Sequence, residues 1–199
     1  MKKYLKYILI LIVVIVLIIG LLWPGNKTKQ IKVEMNITDY GKIILELYRD
    51  NAPITVDNFV KLVDAKFYNG LTFHRIINNF MVQGGDPLKN GTGGSKNTIN
   101  GEFSSNGVNN KISHKRGVIS MARSQDMNSA SSQFFIMHKD APHLDGQYAA
   151  FGKVIEGMEN VDKIAKCMTG RNDKPIHRQA MKKVTVDTFG VDYPEPVKA

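Results

Sequence analysis

The reading of this chain turns on Phe73-His74-Arg75-Ile76-Ile77-Asn78-Asn79-Phe80-Met81-Val82-Gln83-Gly84-Gly85-Asp86. The stretch sets one arginine in an apolar, strand-like run, with an aromatic, a thioether and a carboxamide within the next eight residues. Burying an arginine in such a run is costly unless it is paired, so Arg75 is expected to face a groove. A second run, Ser131-Ser132-Gln133-Phe134-Phe135-Ile136-Met137, repeats the theme. Side chains alternate across a strand, so Met81 and Gln83 share one face, as do Gln133 and Phe135. Neighbouring strands would build a shallow apolar pocket edged by an arginine and two glutamines.

The rest of the chain supplies strands around these two. Ile31 to Asn36 and Lys42 to Tyr48 read as strands joined by a turn near Asp39-Tyr40-Gly41. Pro53 marks a helix entry with Thr55 as candidate N-cap. Val56, Phe59, Val60, Val63 and Phe67 follow at helical spacing up to the Asn69-Gly70 turn. Further strands are expected at 72–77, 80–83, 117–121, 133–137, 149–155 and 183–189, with a loop-rich segment at 84–110 and a second helix at 158–166. Many strands, two helices and no βαβ rhythm predict one mainly β domain, a closed antiparallel barrel, over residues 31–199.

The two runs resemble the cyclophilin family of peptidyl-prolyl cis-trans isomerases. The resemblance continues through Asn90-Gly91-Thr92-Gly93-Gly94, Ser120-Met121-Ala122, Leu144-Asp145-Gly146 and Phe151-Gly152-Lys153-Val154, and covers roughly Ile31 to Val191. It implies an eight-stranded antiparallel barrel with a helix over each opening. It also implies catalysis of X-Pro isomerisation during protein folding, without cofactor or metal. Arg75 stands where the family has its catalytic arginine, and Gln83 where a glutamine orients it and binds substrate backbone. By the same resemblance Phe80, Met81, Phe135 and Leu144 line the slot for the proline ring. Ala122, Arg123 and Gln133 match groove positions, and Gly91 lies on the flanking loop. Better-known eukaryotic members have asparagine at Arg123, tryptophan at His143 and histidine at Tyr148. These departures suggest a bacterial-type member that binds proline-containing polypeptides, and cyclosporin more weakly. The alternative is a non-catalytic chaperone or docking module for proline-containing segments.

Composition narrows the remaining choices. One cysteine, Cys167, excludes an intramolecular disulfide, and the five histidines show no metal-ligand spacing. The net charge of +9 carries no aromatic-basic signature of nucleic-acid binding, and no nucleic-acid partner is expected. Gly91-Thr92-Gly93-Gly94-Ser95-Lys96 lacks the spacing of a P-loop. The basic tail 1–6 leads into an apolar run from Tyr7 to Trp23, which at 1.5 Å per residue reaches about 25 Å. Residues 7–23 are therefore expected to be a transmembrane signal-anchor in the lipid bilayer, with 24–30 as linker. The expected location is the cell membrane, single-pass, with the isomerase domain extracytoplasmic and acting on exported proteins. Secretion after signal cleavage is the alternative.

Overall fold

A computed structural model describes residues 30–196 and 198–199. The expected tail 1–6, the anchor 7–23 and all but the last residue of the linker lie outside the described residues. Among the described residues no helix is long and apolar enough to cross a membrane. The longest has 12 residues, about 18 Å against a hydrocarbon core of about 30 Å. The expected placement as a single-pass membrane protein with an extracytoplasmic domain is corrected accordingly: it rested on residues 7–23 alone, and no described element provides a span.

Among the described residues eight strands and two α-helices follow in the order β1 (Ile31–Ile37), β2 (Gly41–Leu47), α1 (Pro53–Asp64), β3 (Arg75–Ile77), β4 (Met81–Gly84), β5 (Val118–Met121), β6 (Phe134–Met137), β7 (Ala150–Glu156), α2 (Met158–Ala165) and β8 (Met181–Asp187). The strands form one antiparallel sheet in the order β3-β4-β6-β5-β7-β2-β1-β8. The expected closed barrel is corrected to a strongly curled open sheet, whose edges β3 and β8 share no ladder. They meet through a bridge between Thr72 and Ala180, with Phe73 N–H donating to the Gln179 carbonyl at 2.9 Å and Met181 N–H to that of Leu71 at 2.8 Å. At three residues, β3 is too short to carry a full ladder on both sides.

Alternation decides what each strand buries. In β1, Ile31, Val33, Met35 and Ile37 point into the core while Lys32, Glu34 and Asn36 point away. Helix α1 adds Val56, Phe59, Val60 and Val63 to that core, and α2 adds Val161 and Ile164. The Phe59 ring meets those of Tyr68, Phe134 and Phe151 at 5.0, 5.5 and 5.1 Å. Strands β4, β5 and β6 are buried on both faces. Val82, Ile119, Phe134 and Ile136 join the main core, whereas Met81, Val118, Phe135 and Met137 form a second cluster with Ala141, Leu144 and Ala150. The site is built on this second cluster.

Two expected local features of α1 fail: the helix ends at Asp64, short of the expected Phe67, and Thr55 is not its N-cap. The N-cap of α1 is Ala52, with Pro53 in the first turn. Thr55 lies inside the helix, and its N–H and hydroxyl both donate at 2.7 Å to the buried Glu102 carboxylate, which also takes the Ile54 N–H at 3.0 Å. A carboxylate from a distant loop thus satisfies the first-turn N–H groups and complements the helix dipole.

Candidate active site

Arg75 and Gln83 are directly opposite one another on β3 and β4. The connection is a tight turn, Phe80 N–H to Ile77 carbonyl at 3.1 Å, in which Asn79 takes a left-handed φ of 59°. Asparagine tolerates this conformation better than most residues. Strand β6 then sets Phe135 opposite Gln83 and Met137 opposite Met81. The face expected from alternation is therefore assembled.

Its apolar pocket, about 220 Å³, is lined by Phe80, Met81, Phe135, Leu144 and Tyr148, together with Arg75, Gln83, Ala122 and Arg123. A second, polar cavity of about 330 Å³ adjoins it and shares Gln83, Ala122 and Arg123. Gly91 and Gln133 line that cavity, not the apolar pocket. His143 lines neither; it is exposed and stacks on Phe80, rings 5.8 Å apart and inclined 23°. Arg123 holds the boundary between the two cavities with its side chain. Its guanidinium donates to the carbonyls of Gln147 at 3.1 Å and Ser124 at 2.8 Å, and lies 4.9 and 5.1 Å from the rings of Tyr148 and Phe103.

A one-way chain of hydrogen bonds orients the polar edge. Gln133 Nε2 donates to the carbonyls of Gly91 and Gly93 at 3.0 and 2.7 Å. Its Oε1 must then face Gln83, whose Nε2 donates to it at 2.9 Å. Gln83 Oε1 is left to accept from Arg75 Nη1 at 3.5 Å. Because the glycine carbonyls only accept, both amides have a single workable orientation.

Residues that sequence reading did not single out support this edge. Asp86, fully buried, accepts from the N–H groups of Leu88, Asn90 and Gly91 at 2.7, 2.9 and 2.6 Å and so ties down the loop that carries Gly91. Burial alone would raise its pKa, but the backbone N–H groups outweigh burial and hold it below the ordinary 3.8. A Cβ on Gly93 would collide with that carboxylate. Behind Phe135 the imidazole of His114 stacks at 6.0 Å. Burial lowers its pKa, opposed by Asp145, so the ring is neutral near pH 7. Its Nδ1–H donates to Asp145 at 3.0 Å, and Nε2 accepts from the Ser120 hydroxyl at 3.1 Å. Ser120 is fully buried, so this Ser-His-Asp row braces the pocket wall and offers no nucleophile. Asp173 is the remaining group, its Oδ2 accepting from Arg75 Nε at 3.3 Å. Asp145, 31 residues from His114, and Asp173, 98 residues from Arg75, come from remote segments and have no local sequence signal, whereas Asp86 ties down its own loop from two to five residues away. Among the described residues no group of three or more His, Cys, Asp or Glu side chains is placed to hold a metal ion.

Comparison with known proteins bears on this geometry. Residues 32–186 match the family model described as cyclophilin type peptidyl-prolyl cis-trans isomerase/CLD. The chain is 40% identical over 150 residues to the peptidyl-prolyl cis-trans isomerase CYP18-1 of Arabidopsis thaliana, covering 75% of this chain and 92% of the plant protein. It is 48% identical over 129 residues to a peptidyl-prolyl cis-trans isomerase of Helicobacter pylori, covering 64% and 76%. It spans 31% and 25% of two longer fungal relatives. Similar sequences thus come from a plant, fungi and a bacterium, and these matches do not support the expected bacterial type. The fold is similar to the crystal structure of a Cryptosporidium parvum cyclophilin type isomerase in the presence of the dipeptide Ala-Pro. That match has a TM-score of 0.72 and 31% identity, and covers 79% of this chain and 99% of the other.

Proposed function

The chain belongs to the cyclophilin-type peptidyl-prolyl cis-trans isomerase family, and from that premise we infer that it accelerates rotation about X-Pro bonds in polypeptides, with Arg75 as the catalytic group. One observation supports the assignment above the others: Arg75 and Gln83 face each other across β3 and β4 at the rim of an apolar pocket of about 220 Å³.

The barrier is the amide's own resonance, about 18–20 kcal/mol. Rate is gained only by interactions stronger in the twisted state than in either planar isomer. In the twisted state the prolyl nitrogen loses conjugation and can accept a hydrogen bond, which it cannot do when planar. A guanidinium suits this role because it is always charged and its donors are rigidly set. Phe80, Met81, Phe135 and Leu144 would hold the ring while the preceding carbonyl turns, and Gln83 would hold Arg75 in place. Substrate covering the half-exposed Arg75 would exclude water and strengthen its donation.

The test is an isomerisation assay on a short proline peptide with the wild-type chain and Arg75→Ala. The variant should lose about ten- to a thousandfold in kcat/KM, some 1.4–4 kcal/mol, and Arg75→Lys should restore little. A folded Arg75→Ala chain that isomerises at the wild-type rate would remove the assignment. Tight peptide binding with no acceleration would favour the docking-module alternative.

A further inference from the structure

We propose that Asp173 is a positioning residue for Arg75, holding its guanidinium from the side away from the apolar pocket; this rests on the reading of Arg75 as the catalytic group. The two residues are 98 positions apart. Asp173 sits on the loop between α2 and β8, which is pinned on both flanks. Thr169 pairs with Pro175, Gly170 N–H donates to the Lys174 carbonyl at 2.8 Å, and Lys174 N–H to that of Arg171 at 3.4 Å. Within this closure Asn172 and Asp173 both take left-handed φ values, 60° and 58°. Two successive non-glycine residues in that region carry a conformational cost, even though Asn and Asp tolerate it best. Such strain persists where the surroundings over-determine it. Here it accompanies a carboxylate brought to 3.3 Å from Arg75 Nε.

Stability does not explain the contact. Both side chains are 43% exposed, and an ion pair that open to water contributes little. Its geometry matters more. Arg75 borders two cavities, the apolar pocket and a second of about 580 Å³ shared with Arg171, Asp173 and Lys174. Asp173 borders only the second. The guanidinium is thus engaged at Nε from the loop side and at Nη1 by Gln83. Two contacts to a rigid planar fork define its plane, and Nη2 keeps no protein partner among the described residues. Gln83 alone, at 3.5 Å, is a long contact about which the group can swing. Asp173 therefore raises the fraction of time that Arg75 spends aligned on the prolyl nitrogen, an effect expressed in kcat.

The experiment compares the full chain with Asp173→Ala, Asp173→Asn, Arg75→Ala and the double variant Arg75→Ala/Asp173→Ala, with kcat and KM measured on one proline peptide. Asp173→Ala should lower kcat five- to thirtyfold and leave KM within twofold, since the apolar pocket is untouched. Asp173→Asn should stay within threefold of wild type, because its amide oxygen can still accept from Nε. The Arg75 Nε–H resonance should move in Asp173→Ala and remain near its wild-type position in Asp173→Asn. In the Arg75→Ala background, adding Asp173→Ala should change the residual rate less than twofold, because the interaction it removes is already gone. A wild-type kcat in Asp173→Ala, with Arg75→Ala impaired, overturns the proposal alone. A full loss persisting in the Arg75→Ala background overturns it too, by showing that the loop acts independently of Arg75. A wild-type rate in Arg75→Ala instead overturns the catalytic reading, and this proposal with it.

Discussion

Replacing Gln133 by glutamate exchanges one NH2 group for an oxygen at nearly constant volume, so its effects are polar and local. In the wild-type chain Gln133 Nε2 donates to two carbonyls, at 3.0 and 2.7 Å. In Gln133→Glu an anionic oxygen would stand where that donor stood, against two oxygens that cannot donate. Two hydrogen bonds are lost, each worth a net ~1 kcal/mol, and the half-buried carboxylate must swing outward to be solvated. Gln83 then loses the oxygen that received its Nε2 at 2.9 Å, and with it the reason to present Oε1 to Arg75. The local cost is about 2–3 kcal/mol, borne by the Gly91–Gly93 loop and the polar edge rather than by the core. If more than half of it is felt in the transition state, kcat/KM falls about ten- to fiftyfold, or 1.4–2.3 kcal/mol. The assay is isomerisation of a short proline peptide, read beside amide hydrogen exchange at Gly91, whose N–H donates to Asp86 at 2.6 Å. Exchange should quicken there while the β1 and β2 amides stay protected. A kcat/KM within twofold of wild type in a folded Gln133→Glu chain would refute the one-way chain as an organiser of the site.

Asp86→Asn should cost about 2–4 kcal/mol, because an NH2 group replaces an oxygen that accepts from backbone N–H groups. The native pKa of Asp86 lies below the ordinary 3.8, so the unfolded chain binds more protons in the acid range. Its contribution is complete above the unfolded value and is lost as pH falls through the native one; urea titrations should show the gap between wild type and Asp86→Asn closing on acidification, and a constant gap would contradict this. Glu102→Gln sets one donor against the α1 N–H groups and should lower Tm by roughly 3–8 °C, for a loss of about 1–2 kcal/mol, with peptide turnover within twofold; an unchanged melting curve would rule out the remote cap. His143→Trp should tighten cyclosporin binding without a comparable change in isomerase rate, since indole buries more area than imidazole beside Phe80; equal affinity in calorimetry would show that this position is not responsible.

What was legible in the sequence follows from the periodicity of its strands. A strand shows its two faces every second residue, so the sequence alone places Met81 with Gln83 and Gln133 with Phe135 on shared faces. The apolar spacing from Val56 likewise located α1, although the helix ends at Asp64 and leaves the expected Phe67 beyond it, and the order of the motifs pointed to Arg75. Local pattern says nothing about which remote group satisfies a given donor. Asp86 gathers the Gly91 loop from within five residues, whereas Glu102 capping α1, His114 bracing Phe135 and Asp173 meeting Arg75 all join segments that only the curled sheet brings together. Closure of the sheet was decided there as well: β3 is too short to ladder onto β8, and the seam is left to Leu71–Phe73 and Gln179–Met181. Side-chain alternation is a property of the chain and can be read along it. Pairing of buried polar groups is a property of the packed state, because the cost of leaving each one unpaired is met only when water is gone.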